Sequence, residues 1–176
     1  MLAFQNHKAV VPSPATASIF AGVTPSFVNT TDTSGYELGT HFKTTVAGSV
    51  VGLRYWKGLT AAETRTLRLW RWNGGESGTE LASVTVIPAT GVTGWVTGNL
   101  ASPVALTVGQ FYTASYGKAS GQSYAADNYF FTSPQTFGAF TTPTDAGVYS
   151  FLGVGAFPFG KYQSSCYYAD IVFQPA

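Results

Sequence analysis

Charged side chains are scarce in this sequence. Only 10% of the 176 residues are Asp, Glu, Lys or Arg, against roughly 25% in an average globular protein. Nine basic residues face eight acidic ones, whereas 45% of the chain is hydrophobic and 15% is aromatic. This composition excludes a solvated helical bundle and a disordered chain, because disorder requires low hydrophobicity and high net charge. The few basic residues are scattered, which also argues against binding to nucleic acid.

Cysteine and histidine are nearly absent. Cys166 is the single cysteine, so no disulfide can form within the chain, and its aromatic surroundings in the sequence predict a buried, unreactive thiol. The two histidines, His7 and His41, show no metal-ligand spacing. We therefore expect no metal and no cofactor.

Long apolar runs are also missing. A membrane-spanning helix requires about 20 apolar residues, and no segment approaches that length. Pro12 and Pro14 interrupt the short apolar run near the N-terminus, whereas the apolar region of a secretion signal extends over about 7 to 15 residues. We expect a chain that is made in the cytoplasm without a signal peptide and that does not contact a membrane.

Sustained helical periodicity is missing because 20 glycines and 9 prolines interrupt the chain. Short β-branched and aromatic runs recur instead, which is typical of an all-β protein. Several strands are apolar on both faces, so we expect a single antiparallel β-sandwich, jelly-roll-like, with two packed sheets. Residues 118–147 are irregular and form either a functional loop or a segment with short strands. The predicted strands cover residues 36–44, 49–57, 64–72, 80–87, 94–100, 103–107, 110–117 and 166–174.

We divide the chain into an N-terminal extension, residues 1–17, and a β-sandwich domain, residues 18–176. The prolines of the extension favour an extended path. The extension is either an edge strand of the same sandwich or an assembly arm that lies on a neighbouring subunit. The apolar side chains that such an arm would use are Leu2, Phe4, Val10 and Val11.

No catalytic motif stands out. The sequence contains no nucleophile elbow, phosphate-binding loop or calcium-binding loop. Glycoside hydrolysis would require two carboxylates roughly 5 to 9.5 Å apart across a cleft, and half of the acidic residues fall in predicted loops where a solvated carboxylate is ordinary. We therefore expect no enzymatic activity. The loop acids are Asp32, Glu63, Glu76 and Asp145.

Two charged residues on successive predicted strands are candidates for a structural ion pair. Glu37 and Arg54 would face one another if the two strands formed a hairpin, and a partly buried pair there would fix the register of the strands. Asp170 with Arg54 or Lys57 is an alternative pairing. The sequence leaves both arrangements open.

Aromatic side chains give the clearer functional indication. If Leu67 and Leu69 face the core, then strand alternation places Trp70 and Trp72 on the opposite face together with Arg68. An exposed stripe of this kind would bind a sugar ring or a protein partner, since a rigid aromatic side chain offers contact area at low entropy cost. The alternative is that another strand or loop covers the stripe.

A second aromatic cluster lies within the irregular segment 118–147. Tyr124 and Tyr129 flank Asp127 and Asn128 there, a mixture of rings and polar groups that suits contact with a ligand or partner. Burial inside the sandwich is the alternative for these residues.

An ordered string of short motifs runs from about Ser18 to Phe173. It resembles the bacterial domain-of-unknown-function family 4082. The motifs, in chain order, are Ser18–Phe20 with Thr24–Pro25, Tyr36–Gly39 with His41–Phe42, Val51–Gly58, Leu69–Trp70, Trp95, Ser102–Thr107, Tyr112–Tyr116, Gly147–Tyr149, Phe157–Pro158 and Tyr167–Phe173.

This resemblance implies a β-sandwich module of the kind appended to large secreted bacterial proteins, often beside immunoglobulin-like or polysaccharide-acting domains. It implies no established activity, and related modules occur among phage structural proteins. A single module without a signal peptide fits the phage context. We therefore predict a non-enzymatic virion protein, either a capsid decoration or cement protein or a component of a head or tail fibre. It would contact other virion proteins and further copies of itself. The alternative is a carbohydrate-binding module, free or virion-borne, that binds a surface glycan through its aromatic residues. The alternative location is the exterior of a bacterium.

Overall fold

The computed structural model describes residues 15–58 and 63–176. Within these ranges the chain forms strands and loops and contains no α-helix. A helix with the length and apolarity needed to cross a membrane is accordingly not found in the described residues. The strands of the described ranges are β1 (Thr30–Thr31), β2 (Tyr36–Thr44), β3 (Gly48–Lys57), β4 (Arg65–Gly74), β5 (Ser77–Val86), β6 (Gly94–Leu106), β7 (Tyr112–Lys118), β8 (Ser123–Tyr124), β9 (Gln135–Phe137), β10 (Phe140–Thr142), β11 (Gly147–Ser150) and β12 (Ala169–Pro175).

The strands follow the predicted pattern closely. The prediction for β2 has the observed bounds, and β3, β4, β5 and β7 differ from their predictions by a few residues at the ends. Two predicted strands, 94–100 and 103–107, form the single strand β6. Among the described strands it pairs with β3 alone, and its register shifts opposite Val50 and Gly52. Pro103 is tolerated there because an edge strand has no second neighbour that needs its missing N–H.

The strands form two antiparallel sheets that pack together. The larger sheet has seven strands in the order β5-β4-β7-β2-β10-β9, with β11 also paired to β2. The smaller sheet has three strands in the order β12-β3-β6, and β1 and β8 form a separate short ladder. This arrangement confirms the predicted all-β sandwich. The irregular segment 118–147 contributes three short strands, β8, β9 and β10.

The core lies between the sheets. Alternate residues of each strand point into it, among them Leu38 and Phe42 of β2 and Leu53 of β3. Tyr55 of β3 and Tyr116 of β7 meet across the core with ring centroids 5.0 Å apart. Aromatic packing of this kind dominates the interior of a chain with so many rings.

Cys166 is a buried, free cysteine, as the sequence predicted. Burial raises the pKa of its thiol well above the ordinary value. The thiol is therefore protonated at neutral pH and chemically inert in the folded protein.

The described part of the N-terminal extension joins the sandwich. Ala17 forms an antiparallel bridge with Phe173 of β12, and its backbone N–H donates to the carbonyl of Phe173 over 2.7 Å. The arm prediction stays a prediction. The four side chains on which it rests, Leu2, Phe4, Val10 and Val11, lie outside the described residues.

Candidate functional site

The predicted aromatic stripe lies on the outer face of the larger sheet. Leu67 and Leu69 are buried in the core. Trp70 is nevertheless only 6% exposed, because the ring of Phe157 meets it edge to face at 5.7 Å between centroids. Trp72 is partly buried and its ring stacks on that of His41. Of the two alternatives that the sequence left open, the covered stripe is the one observed at Trp70, where a loop lies over the ring, and Trp72 is partly shielded by His41.

Residues 151–158 form this covering loop, and three glycines make room for it. A Cβ atom at Gly78 of β5 would lie 2.3 Å from the ring of Phe157, and one at Gly117 of β7 would lie 2.5 Å from a methyl group of Val154. At Gly39 of β2 a Cβ atom would lie 3.1 Å from Pro158. The loop therefore lies where three strands of the larger sheet, β2, β5 and β7, lack side chains.

Glu37 and Arg54 do not form the predicted ion pair. Their strands follow one another in the sequence, but β2 belongs to the larger sheet and β3 to the smaller one. Glu37 instead accepts hydrogen bonds from Arg68 Nη1 at 3.0 Å, Ser115 Oγ at 2.6 Å and the N–H of Gly155 at 2.9 Å. Burial raises the pKa of Glu37, and these donors act in the opposite direction. Arg68 therefore lies beneath the covering loop and pairs with the carboxylate that binds the loop backbone.

Arg54 pairs with Asp170, which was the alternative arrangement. The two residues lie opposite one another on β3 and β12, and Arg54 donates from Nε at 2.8 Å and from Nη2 at 2.6 Å. The buried carboxylate of Asp170 also accepts from the N–H groups of Ile19 and Phe20. Burial raises the pKa of Asp170, whereas Arg54 lowers it. Lys57 donates to backbone carbonyls, including that of Val92.

His41 lies under the covering loop between two rings. The centroid of its imidazole is 4.8 Å from that of Trp72 and 6.1 Å from that of Phe157. Its Nδ1 is 2.7 Å from Thr113 Oγ1. Burial, with a smaller contribution from Lys161, lowers the pKa of His41 to about 4. The imidazole is therefore neutral at pH 7.

Within the described ranges, no group of three or more His, Cys, Asp or Glu side chains is placed to hold a metal ion.

A cleft of about 580 Å³ opens beside β2 and β11, and we call it the tyrosine cleft. Tyr124, one of the predicted candidates, lines it. Tyr129, another candidate, does not line it and is exposed. The aromatic side chains of the wall come from separate segments, so local sequence patterns did not connect them. They are Phe27, Tyr36, Tyr124, Tyr149, Tyr162 and Tyr167.

Polar groups accompany these rings. Asp32 accepts a hydrogen bond from the N–H of Ser34 at 2.9 Å and one from the Tyr36 hydroxyl at 3.2 Å. Asn128 Oδ1 accepts from Ser165 Oγ at 2.8 Å. The carboxylate and the amide are therefore held in fixed orientations at the wall of the cleft.

The buried side chain of Lys118 contacts the wall of the cleft from the protein interior. Lys118 Nζ donates to the backbone carbonyls of Asp32 and Ser34, each at 2.7 Å. The same ammonium group lies 5.4 Å from the ring centroid of Tyr36 and 5.6 Å from that of Tyr124. These cation–π contacts fix the positions of two rings of the wall.

The fold and the site define a β-sandwich module with an aromatic ligand-sized cleft and a covered outer face. The family model described as "Domain of unknown function (DUF4082)" matches residues 22–169. The chain belongs to this family, which confirms the resemblance seen in the sequence motifs. A search of curated proteins found no match.

Proposed function

We propose that this protein is a non-enzymatic structural component of a phage particle, either a capsid decoration or cement protein or part of a head or tail fibre. It acts by contact with other virion proteins and with copies of itself. The observation that carries the proposal is the apolar tip of the covering loop. Phe151, Leu152 and Val154 are 59%, 69% and 50% exposed there, and apolar side chains that cluster at a surface favour contact with a partner.

The covering loop is anchored on both of its flanks. The N–H of Gly155 donates to the buried Glu37 carboxylate, and Phe157 is inserted between His41 and Trp70. The loop is thereby held in one position on the sheet. A segment that is already ordered loses little entropy on binding, so this tip is suited to a protein interface.

Scarcity of charge supports the same proposal. Only 10% of the residues are charged, and Glu37, Asp170, Arg65, Lys57 and Lys118 are almost fully buried. Few Lys and Glu side chains remain to keep neighbouring molecules apart. In a symmetric particle, modest contacts of each copy are multiplied over the lattice.

The proposal is non-enzymatic because the two buried carboxylates, and the partly buried Asp127, already have structural partners. Glu37 is held by Arg68, and Asp170 by Arg54. Asp127 accepts from the N–H of Ser26 and from the hydroxyl of Tyr168. Carboxylates that are saturated by internal donors are poor candidates for general acid–base chemistry.

Mass spectrometry of purified particles tests the assignment. Peptides of this protein are expected in density-gradient-purified virions of the phage that encodes it, in a stoichiometry set by the particle symmetry. Absence of the protein from intact particles would refute the proposal.

A pair of loop variants tests the surface. Phe151→Ser combined with Leu152→Ser is expected to leave the thermal midpoint nearly unchanged, since both side chains are exposed, and to reduce incorporation into particles. Ile87→Ser is the matched control, because Ile87 is an exposed aliphatic residue on a different loop. Equal incorporation of the double variant and the control would exclude this tip as the contact surface.

A further inference from the structure

We infer that the tyrosine cleft is a binding site for a short, uncharged oligosaccharide. The inference does not rest on the proposed function, because the covering loop, and not the cleft, carries that proposal. It also differs from the sugar platform considered at Trp70 and Trp72, where Phe157 covers the ring of Trp70.

The size of the tyrosine cleft suits a small ligand. Its volume of about 580 Å³ falls within the roughly 300 to 1,000 Å³ that is usual for small-molecule sites. At its rim Phe27 and Tyr162 are 68% and 55% exposed. A concave wall with exposed rings at its rim allows a ligand to enter without unfolding any strand.

The aromatic wall supplies both kinds of contact that a sugar requires. The C–H face of a sugar ring packs on an aromatic ring, and the hydroxyl group of a tyrosine serves as donor and acceptor. The hydroxyl groups of Tyr124, Tyr149 and Tyr162 form no hydrogen bond with the described residues. They are free to bond to sugar hydroxyls without breaking an internal contact.

Two polar side chains supply directional anchors. The Asp32 carboxylate, oriented by Ser34 and Tyr36, has remaining lone pairs that accept from vicinal hydroxyl groups. Asn128 Oδ1 accepts the hydrogen bond from Ser165 Oγ. Its amide N–H groups are the donors that it offers to a ligand. One fixed acceptor and one fixed donor among aromatic rings give a binding site its specificity.

Charge selects a neutral ligand over a charged one. A tyrosine cage with a carboxylate would ordinarily suit a cation. Here the ammonium group of Lys118 already lies over the rings of Tyr36 and Tyr124, so a second cation at these rings would be repelled. An anion would meet the Asp32 carboxylate, and no Lys or Arg lines the part of the wall that the structure describes. An uncharged, hydroxyl-rich ligand avoids both penalties.

Affinity gel electrophoresis tests the inference with defined probes. The neutral probes are dextran, laminarin, galactomannan, xylan and soluble starch, and choline in free solution and polygalacturonate in the gel are the cationic and anionic comparisons. We expect retardation of the wild-type protein by at least one neutral polymer. Tyr162→Ala is expected to weaken that retardation about tenfold, as loss of an anchoring ring does. Tyr129→Ala is the matched control, because Tyr129 is exposed to a similar extent as Tyr162 but lies outside the cleft.

Tyr124→Phe provides a second variant that retains the ring and removes only the hydroxyl group. It is expected to fold normally and to bind several-fold more weakly. The inference is overturned if no neutral polymer retards the wild-type protein, if Tyr162→Ala and Tyr129→Ala behave alike, or if the protein binds only choline or polygalacturonate. Particle composition is independent of all these readouts, so failure here leaves the virion proposal intact.

Discussion

Replacement of Asp170 by Asn is expected to remove much of the stability of the sandwich. Its Oδ1 accepts from the N–H groups of Ile19 and Ile171 at 2.8 and 2.7 Å, and its Oδ2 accepts from Arg54 and, at 3.2 Å, from the N–H of Phe20. Every one of these partners is a donor. An amide N–H₂ group placed on either side would therefore face donors that it cannot satisfy.

The magnitude of the effect follows from burial. The side chain of Asp170 is fully buried and that of Arg54 is 15% exposed. Removal of one partner from a buried ion pair costs about 3 to 5 kcal/mol. We expect a loss near the lower end, about 3 kcal/mol, because the guanidinium group retains some solvent and a stacking contact 4.1 Å from the Trp95 ring centroid. That is a large part of a domain stability of about 5 to 15 kcal/mol.

Urea unfolding at pH 7, followed by tryptophan fluorescence, measures this loss. Asp145→Asn is the matched control. Asp145 has a φ of 55°, which Asn also adopts readily, and its bond from Ser164 Oγ can be kept, so a change below about 0.5 kcal/mol is expected. Adding Arg54→Met to Asp170→Asn should recover part of the loss because no unpaired charge remains. A loss below about 1 kcal/mol for Asp170→Asn would refute this account of the pair.

Two further predictions concern the covered face of the larger sheet. Because burial lowers the pKa of His41 to about 4 from 6.5, the unfolded chain takes up a proton first as the pH falls. Stability is thus complete above pH 6.5 and declines toward pH 4 by about 3 kcal/mol. His41→Gln should remove this decline, and equal pH slopes of the two proteins in urea unfolding would contradict it. Gly117→Ala, which brings a Cβ atom within 2.5 Å of Val154, should cost about 1 to 3 kcal/mol and speed proteolysis of the covering loop. At Gly35 a Cβ atom meets only ordinary contacts of 3.5 Å or more, so a Gly35→Ala control with an equal effect would show that crowding is not the cause.

Strand positions could be predicted from the sequence because the alternation of apolar side chains is a local property. The bounds of β2 are a case in point, since Leu38 and Phe42 face the core from within one nine-residue run. Pairing of strands is not local. Glu37 and Arg54 lie on consecutive strands, yet the chain crosses from one sheet to the other between them, and the true partner of Glu37 is Arg68 on β4.

The sequence indicates the loop that covers Trp70 less clearly than it indicates the strands. Gly39, Gly78 and Gly117 are glycines within or at the start of strands, and glycine in a strand often marks the close approach of another segment. Their common role becomes visible only when β2, β5 and β7 are placed in one sheet. The tyrosine cleft left only a partial signal. Tyr124 and Asn128 lie in the aromatic cluster that the sequence indicated, but the other rings are contributed by segments as distant as Phe27 and Tyr167.

The structure shows where several of the few charged residues lie and what they contact. The two buried carboxylates, Glu37 and Asp170, join the covering loop and the N-terminal segment to the sheets. Lys118 supports the wall of the tyrosine cleft. Charges used in this way cannot serve solubility, because they are removed from the surface that neighbouring molecules meet. The outer surface is therefore poorer in charge than the composition alone indicates. When such a surface is buried against a protein or a sugar, few charged groups lose their hydration, so the cost of desolvation is small. In a protein that stays monomeric in solution, exposed charges of this kind would keep neighbouring molecules apart.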